Sequence, residues 1–300
     1  MYDPTDTTGY KGSTWNPLAY CSDWRGAQRT ASWLTEAARA EGGGLEDADF
    51  WYQAAAKLLA PLLNAAAATG GTISDVVRWV DTQDESDVRT ALIQANCDAA
   101  LQAAAATWNR EERAKSSVYT TAETVLAAYA DPVVAASAEG HRITPARLLD
   151  GGAHTRYIVA PSHEQRRLRL LFQTLIASFL AVAYERASER GGPIDPSLLV
   201  VLDEAANIAP LRDLDTLAST AAGQGIQLVS VFQDLAQISA RYGERAATVV
   251  NNHRAKVLLS GISDPTTLEY AARLLGDEEV LQASVTRGEK GEHSTTESTG

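Results

Sequence analysis

The sequence predicts an α/β protein in which a mainly parallel sheet is joined to an all-helical block. Two observations carry that expectation. Apolar runs of strand length, Leu198-Leu-Val-Val-Leu202 and Ile226-Gln-Leu-Val-Ser-Val231, alternate with segments of helical periodicity. Parallel strands joined by short segments need crossover helices, so this alternation predicts a parallel sheet with helices on both faces. Further upstream, from Leu45 to about Asp131, the chain is alanine-rich and its apolar residues, among them Trp51, Leu58, Leu59, Leu62 and Leu63, fall at helical spacing with no period-two strand.

The elements follow in order. Residues 1–44 hold turn signals at Gly9, Gly12 and Asn16-Pro17, then a helical pattern through Trp24, Ala27, Ala31 and Leu34, and Gly42-Gly43-Gly44 ends the segment. Residues 45–150 form the helical domain. Within it Pro61 is expected to kink or divide a helix, Gly70-Gly71 to end it, and Ser74-Asp75 to cap the next. Residues 151–280 carry the alternating pattern: strands at Arg156-Tyr-Ile-Val-Ala160, 198–202, 226–231 and Lys256-Val-Leu-Leu-Ser260, and a long helix from about His163 to Arg190. Residues 281–300 read as a polar, flexible segment. The first and last residues both read as cut from something longer.

Of the 300 residues, 45% are hydrophobic, enough for a real core. Cys21 and Cys97 form no metal-binding or disulfide pattern, which suits a reducing compartment. The net charge of −12 opposes nonspecific binding to nucleic acid, so any DNA contact has to be local. The apolar run Leu170–Tyr184, interrupted by Gln173, Thr174 and Ser178, is shorter than the roughly 20 residues of a membrane span and reads as a buried helix. No cationic leader precedes an apolar stretch at Met1, so no cleaved signal is expected.

The residues with the clearest chemistry are Asp203 and Glu204, which end an apolar strand. Open α/β sheets bind ligands at the carboxyl ends of their strands. A nucleoside triphosphatase needs there one acid to hold Mg2+, usually through water, and another group to orient the attacking water, and Asp203 and Glu204 suit those tasks. Capping of the following helix, with Glu204 at its positive end, is the plain alternative, and the motif alone leaves both open. Gln233, just past the end of the next strand, stands where it reaches a γ-phosphate or attacking water. A helix-start role beside Gln237 is its alternative.

Taken together, Leu202-Asp-Glu, Gly225-Ile-Gln-Leu-Val-Ser-Val-Phe-Gln233, Gln237, Tyr242-Gly243 and Asn252 resemble the type IV secretion coupling proteins, the TraG/TraD-like and FtsK/HerA-like motor ATPases that pump DNA in conjugation. Trp15-Asn-Pro-Leu18, Phe50-Trp51, Ser263-Asp-Pro-Thr-Thr-Leu268 and Leu275-Gly276 extend the resemblance across most of the chain. It implies a RecA-like P-loop ATPase core with an inserted all-α domain that faces relaxase and DNA. It also implies a homo-oligomeric, hexameric ring at the cytoplasmic side of the bacterial inner membrane, feeding a type IV secretion channel. ATP and Mg2+ are the implied cofactors, with Asp203 on the metal, Glu204 as general base and Gln233 as sensor.

Two departures stand out. Nowhere does Gly-x-x-x-x-Gly-Lys-Ser/Thr, the Walker A loop whose amides and lysine hold the phosphates, occur. Gly9-Tyr-Lys-Gly-Ser is not it, and truncation is the expected reason. Ala222 stands where the family often has arginine, with Arg212, Arg241 and Arg245 as substitutes. The rival expectation is a non-catalytic adaptor or remnant that binds a relaxase or a complete coupling protein.

Other signals lead elsewhere. Gly223-Gln-Gly225 precedes its strand, so it is no dinucleotide fingerprint, and no histidine has zinc-ligand spacing. Asp264-Pro265 reads as a helix start. For Arg166, Arg167 and Arg169 a solvated helix face is a commoner explanation than DNA contact, and for the six tryptophans, all in the first 110 residues, core packing is commoner than base stacking.

Overall fold

A computed structural model describes every residue except Lys11, 40–47, His141, 277–280, 288–292 and Gly300. The expected punctuation at Gly42–Gly44 lies outside the described residues.

Helix α1 (Trp24–Arg39) buries Ala27, Ala31 and Leu34 completely, at the i, i+4, i+7 spacing of one helix face. It packs on α2 (Ala48–Thr69), the centre of the helical block. Pro61 was expected to kink or divide its helix; it lies inside α2 without dividing it. The reason is tertiary: an interior proline costs roughly 3 kcal/mol, whereas burying one leucine returns about 1.5–3 kcal/mol. Leu58, Leu59, Leu62 and Leu63 around it are all at most 1% exposed. Gly70, at φ +72°, ends the helix. The following cap sits at Thr72, two residues before the expected position, where the Asp75 carboxylate accepts from the Thr72 N–H at 2.8 Å and hydroxyl at 3.0 Å. Helices α3 (Ile73–Asp81), α4 (Glu85–Gln94), α5 (Asp98–Trp108), α6 (Glu112–Leu126), α7 (Pro132–Ser137) and α8 (Pro145–Leu148) complete the block.

The long helix α9 (Gln165–Arg190) joins two hydrophobic cores. Leu168, Leu171, Phe172 and Leu175 enter the core of the helical block, while Ala183 and Ala187 enter a second core built on the sheet. Among the described residues, α9 alone is long and apolar enough to cross a membrane by length and composition, and half of that stretch is buried within the protein.

The second core contains β1 (Leu198–Leu202), α10 (Leu214–Thr220), β2 (Ile226–Ser230), α11 (Leu235–Tyr242) and α12 (Ala246–Asn252). The strands pair in parallel from Leu198 opposite Ile226 to Leu202 opposite Ser230. Leu198, Leu202 and Ile226 point into the core. Leu199, Val201 and Val229 face outward and are 57%, 56% and 46% exposed. Helices were expected on both faces of the sheet. Among the described residues the face carrying Leu199, Val201 and Val229 is left open.

Two expected strands do not form ladders. Arg156–Ala160 makes one parallel bridge, Ile158 to Tyr2, since the chain after Tyr2 turns away through Pro4 and Asp6 at φ +52°. Lys256–Ser260 has no strand partner among the described residues, and Val257 and Leu259 are 82% and 72% exposed. Beyond it come α13 (Pro265–Leu275), capped by Asp264 as expected, and then β3 (Leu281–Arg287) and β4 (His293–Thr299). These last two pair antiparallel where the sequence reading gave no regular element. Their threonines and Val285 favour a pleated strand.

Candidate functional site

Strand β1 ends at Leu202, and the next residues form a turn instead of a helix. Two backbone bonds clamp that turn to the end of β2: Val231 N–H donates to Leu202 O at 2.9 Å, and Ala205 N–H donates to Val231 O at 3.0 Å. Asp203 and Glu204 lie between those anchor points, so the acids and the segment leading to Gln233 leave the sheet side by side.

Asp203 is exposed, and among the described residues its carboxylate makes no hydrogen bond or ion pair. It caps no helix; the next helix, α10, has Asp213 at its N-cap. Glu204 is exposed and sits at φ +53°, a left-handed conformation that is unfavourable for a residue with a β-carbon. Its carbonyl accepts from Asn207 N–H at 2.8 Å and Ile208 N–H at 3.2 Å, and its side chain has only a 3.5 Å contact with Asn207 Nδ2. The turn geometry therefore comes from backbone bonds and leaves both carboxylates available to solvent.

Gln233 precedes the α11 cap, which is Asp234. The Gln237 side chain accepts from the Gln233 backbone N–H at 3.0 Å, so Gln237 is used structurally. The Gln233 amide is exposed and makes no hydrogen bond among the described residues. The strand ends thus bring Asp203, Glu204 and Gln233 to one edge, each with an unused polar side chain. Single acids of this kind suit Mg2+, which keeps most of its waters and takes one or two carboxylates alongside phosphate oxygens. Among the described residues, no cluster of three or more His, Cys, Asp or Glu side chains that could hold a metal ion occurs, at this edge or elsewhere.

Supporting contacts were less legible. From α9, Arg169 Nε donates to Asn207 O at 2.9 Å and Gln173 Nε2 donates to Pro210 O at 2.6 Å, so the loop beyond the acids is tied to the long helix. Gln173 is only 4% exposed; its interruption of an apolar run was the signal in the sequence. His253 Nδ1 donates to Val249 O at 2.7 Å, and its Nε2 meets Ser230 Oγ at 3.1 Å, which steadies the last residue of β2. Leu235 N–H donates to Thr267 Oγ1 at 3.0 Å, joining α11 to the start of α13.

The arginines divide by use. Arg245 is committed to Asp215 at 3.2 Å and Asp213 at 3.3 Å. Arg167 pairs with Glu164 at 2.6 Å and Asp131 at 3.0 Å, and Arg169 holds the loop, so two of the three arginines in the first turns of α9 serve the fold. Of the tryptophans, Trp15, Trp79 and Trp108 are buried, as core packing requires.

The sequence model of the family described as "Type IV secretory system Conjugative DNA transfer" matches residues 1–300. The chain belongs to that family. A conjugal transfer protein TraG of Escherichia coli is 27% identical over 186 residues, covering 59% of this chain and 29% of the relative. A TraG of Rhizobium radiobacter is 35% identical over 124 residues, 40% of this chain and 19% of the relative. The chain therefore spans less than a third of these relatives. Among solved structures, the bacterial conjugative coupling protein TrwBdeltaN70 in its trigonal form with sulphate aligns at a TM-score of 0.70 and 20% identity, covering 99% of this chain and 66% of that one. TrwB in complex with ADP and Mg2+ aligns at 0.68 and 19%, covering 96% and 64%. The fold shared with these coupling proteins is a RecA-like α/β core, partial here, with an all-α domain.

Proposed function

We propose that this chain contributes the acid and sensor side of an ATP-driven motor that moves relaxase-bound DNA to a type IV secretion channel in conjugation. The carrying observation is the Asp203 carboxylate, which leaves β1 at the ligand-binding edge of the sheet with no structural partner. Family membership sets the biological context.

The residues present fit the metal and water-activating half of a nucleotide site. Asp203 would hold the water shell of Mg2+, Glu204 would accept a proton from the attacking water, and Gln233 would orient that water or read the γ-phosphate. Bound ATP with Mg2+ supplies the phosphoanhydride and the charge neutralisation that phosphoryl transfer needs. The residues do not fit the phosphate cradle, because the 300 residues contain no glycine-rich lysine loop, and the complete motor draws it from elsewhere. In this reading the motor works as a ring at the cytoplasmic side of the inner membrane, and the helical domain meets relaxase and DNA.

The test is Glu204→Gln in a complete protein carrying both halves. Nucleotide binding is expected to persist while turnover falls by roughly 10²–10⁴-fold, the usual worth of a general base. Wild-type hydrolysis in that variant overturns the assignment.

The missing lysine loop favours a second reading, a non-catalytic adaptor that binds a relaxase or a complete coupling protein. An adaptor shows partner binding indifferent to Asp203 and Glu204. It also gains no thermal stability from ATP and Mg2+, whereas a ligand at about 100 times its Kd adds about 2.7 kcal/mol.

A further inference from the structure

The helical block contains a recess of about 540 Å³ between α1, α2 and α5, inside the range of roughly 300–1,000 Å³ typical of ligand pockets. Ala56, Ala60, Ala103 and Ala106 are four of its ten lining residues, and the half-buried Trp24 is another. Close-packed helices rarely leave this much space; here short side chains on two facing helices keep it open.

Its charge is opposite to that of the protein. The chain has 38 Asp and Glu against 26 Lys and Arg, yet the lining holds Lys57 and Arg110 and no carboxylate. Neither cation forms an ion pair among the described residues. Thr107, also in the lining, is 2% exposed, and its hydroxyl has no hydrogen-bond partner among the described residues.

We infer that this recess binds an acidic amphipathic peptide segment of another protein. An apolar side chain enters between the alanines against Trp24, flanking Asp or Glu residues meet Lys57 and Arg110, and the Thr107 hydroxyl donates to a peptide carbonyl or carboxylate. This is anchor-in-groove recognition, in which the apolar contact gives affinity and the charges give register. A nucleobase fits less well. Its ring edge carries several hydrogen-bonding groups that alanine walls leave unpaired; Gln28 and Gln53 are the lining's only side-chain amides. No strand-end residue lines the recess, so failure of this proposal leaves the motor reading intact, and the reverse also holds.

The experiment uses the 300-residue chain and three fluorescein-labelled probes read by anisotropy. One is a helical peptide with leucines at i and i+4 flanked by glutamates. The second has lysines in place of the glutamates, and the third is oligothymidylate. The acidic peptide is expected to bind at least about tenfold more tightly than the basic one, a 1.4 kcal/mol preference. Its affinity should fall at least about tenfold in Lys57→Glu/Arg110→Glu, and similarly in Ala106→Phe, which fills the recess. Asp203→Asn should leave it unchanged. Equal binding of the two peptides overturns the proposal, as does undiminished binding by a folded charge-reversed variant. Binding of oligothymidylate alone also overturns it and assigns the recess to nucleic acid. If the charge-reversed variant does not fold, Ala106→Phe, an exposed position, and the peptide comparison decide the outcome.

Discussion

Replacing Glu204 by glycine should make the protein more stable, and the size of the gain follows from one backbone angle. Glu204 has φ +53° and an exposed side chain whose nearest polar contact, at 3.5 Å, is too long to contribute. A β-carbon in the left-handed region costs about 1–2 kcal/mol. Glycine removes that cost, although its greater freedom in the unfolded chain returns about 0.5–1 kcal/mol. Glu204→Gly is therefore expected to gain about 0.5–1 kcal/mol, while Asp203→Gly, beside it and outside the left-handed region, loses about 0.5–1 kcal/mol. Glu204→Ala, which keeps the β-carbon and removes the charge, should stay within about 0.5 kcal/mol of the parent. Urea unfolding of the three variants, followed by circular dichroism, measures the order. A Glu204→Gly variant destabilised as much as Asp203→Gly refutes the reasoning, because the turn then does not strain the residue it holds. A confirmed gain means that the chain keeps a glutamate where glycine is more stable, which is how strain at a functional position shows itself.

Two further outcomes follow from the same structure. Gly225→Ala combines φ +80° with a new β-carbon 2.5 Å from Ile194 O, so it should cost about 2–5 kcal/mol from the left-handed conformation and overpacking together. The loss should appear in hydrogen exchange as reduced protection of β1 and β2 with the helical block unaffected, and a neutral substitution contradicts it. Burial of the fully enclosed Cys21 raises its thiol from the usual 9.0 to about 12, so folding holds the neutral form. The stability this represents is complete below about pH 9 and is lost as pH rises towards 12, where the folded thiol also ionises. Cys21→Ala should flatten the first part of that alkaline fall in a urea titration.

What the sequence made legible was local in origin. The α1 face of Ala27, Ala31 and Leu34 follows from helical period alone, and the Asp264-Pro265 start of α13 from side-chain capping. Strands depend on their neighbours. Arg156–Ala160 and Lys256–Ser260 have the composition of strands, but one meets a single residue of the amino-terminal segment and the other meets none. Pro61 misled for a related reason, since burial around α2 outweighs a local rule. At the site, an apolar run ending in two acids singled out Asp203 and Glu204, and the end of the next apolar run singled out Gln233. The conformation of Glu204 was not, because it arises from bonds between the turn and Val231, which is distant in sequence.

The least legible contacts are those that join the two cores. Arg169 and Gln173 lie on the half of α9 that packs with the helical block, yet they hold carbonyls of Asn207 and Pro210 in the loop that follows the acids. These contacts span 38 and 37 residues of sequence, and no local pattern announces them. Gln173 is nearly sealed from water, so releasing its bond without a replacement costs about 1–3 kcal/mol; the charged Arg169 head adds a stronger bond of about 1.5–3 kcal/mol. The loop beyond Asp203 and Glu204 therefore follows α9 more readily than it separates from it. Because the same helix is packed into the block that carries the alanine-walled recess, the acidic turn and the recess are attached to one rigid element. A displacement of the helical block relative to the sheet has to move that loop with it or break both bonds.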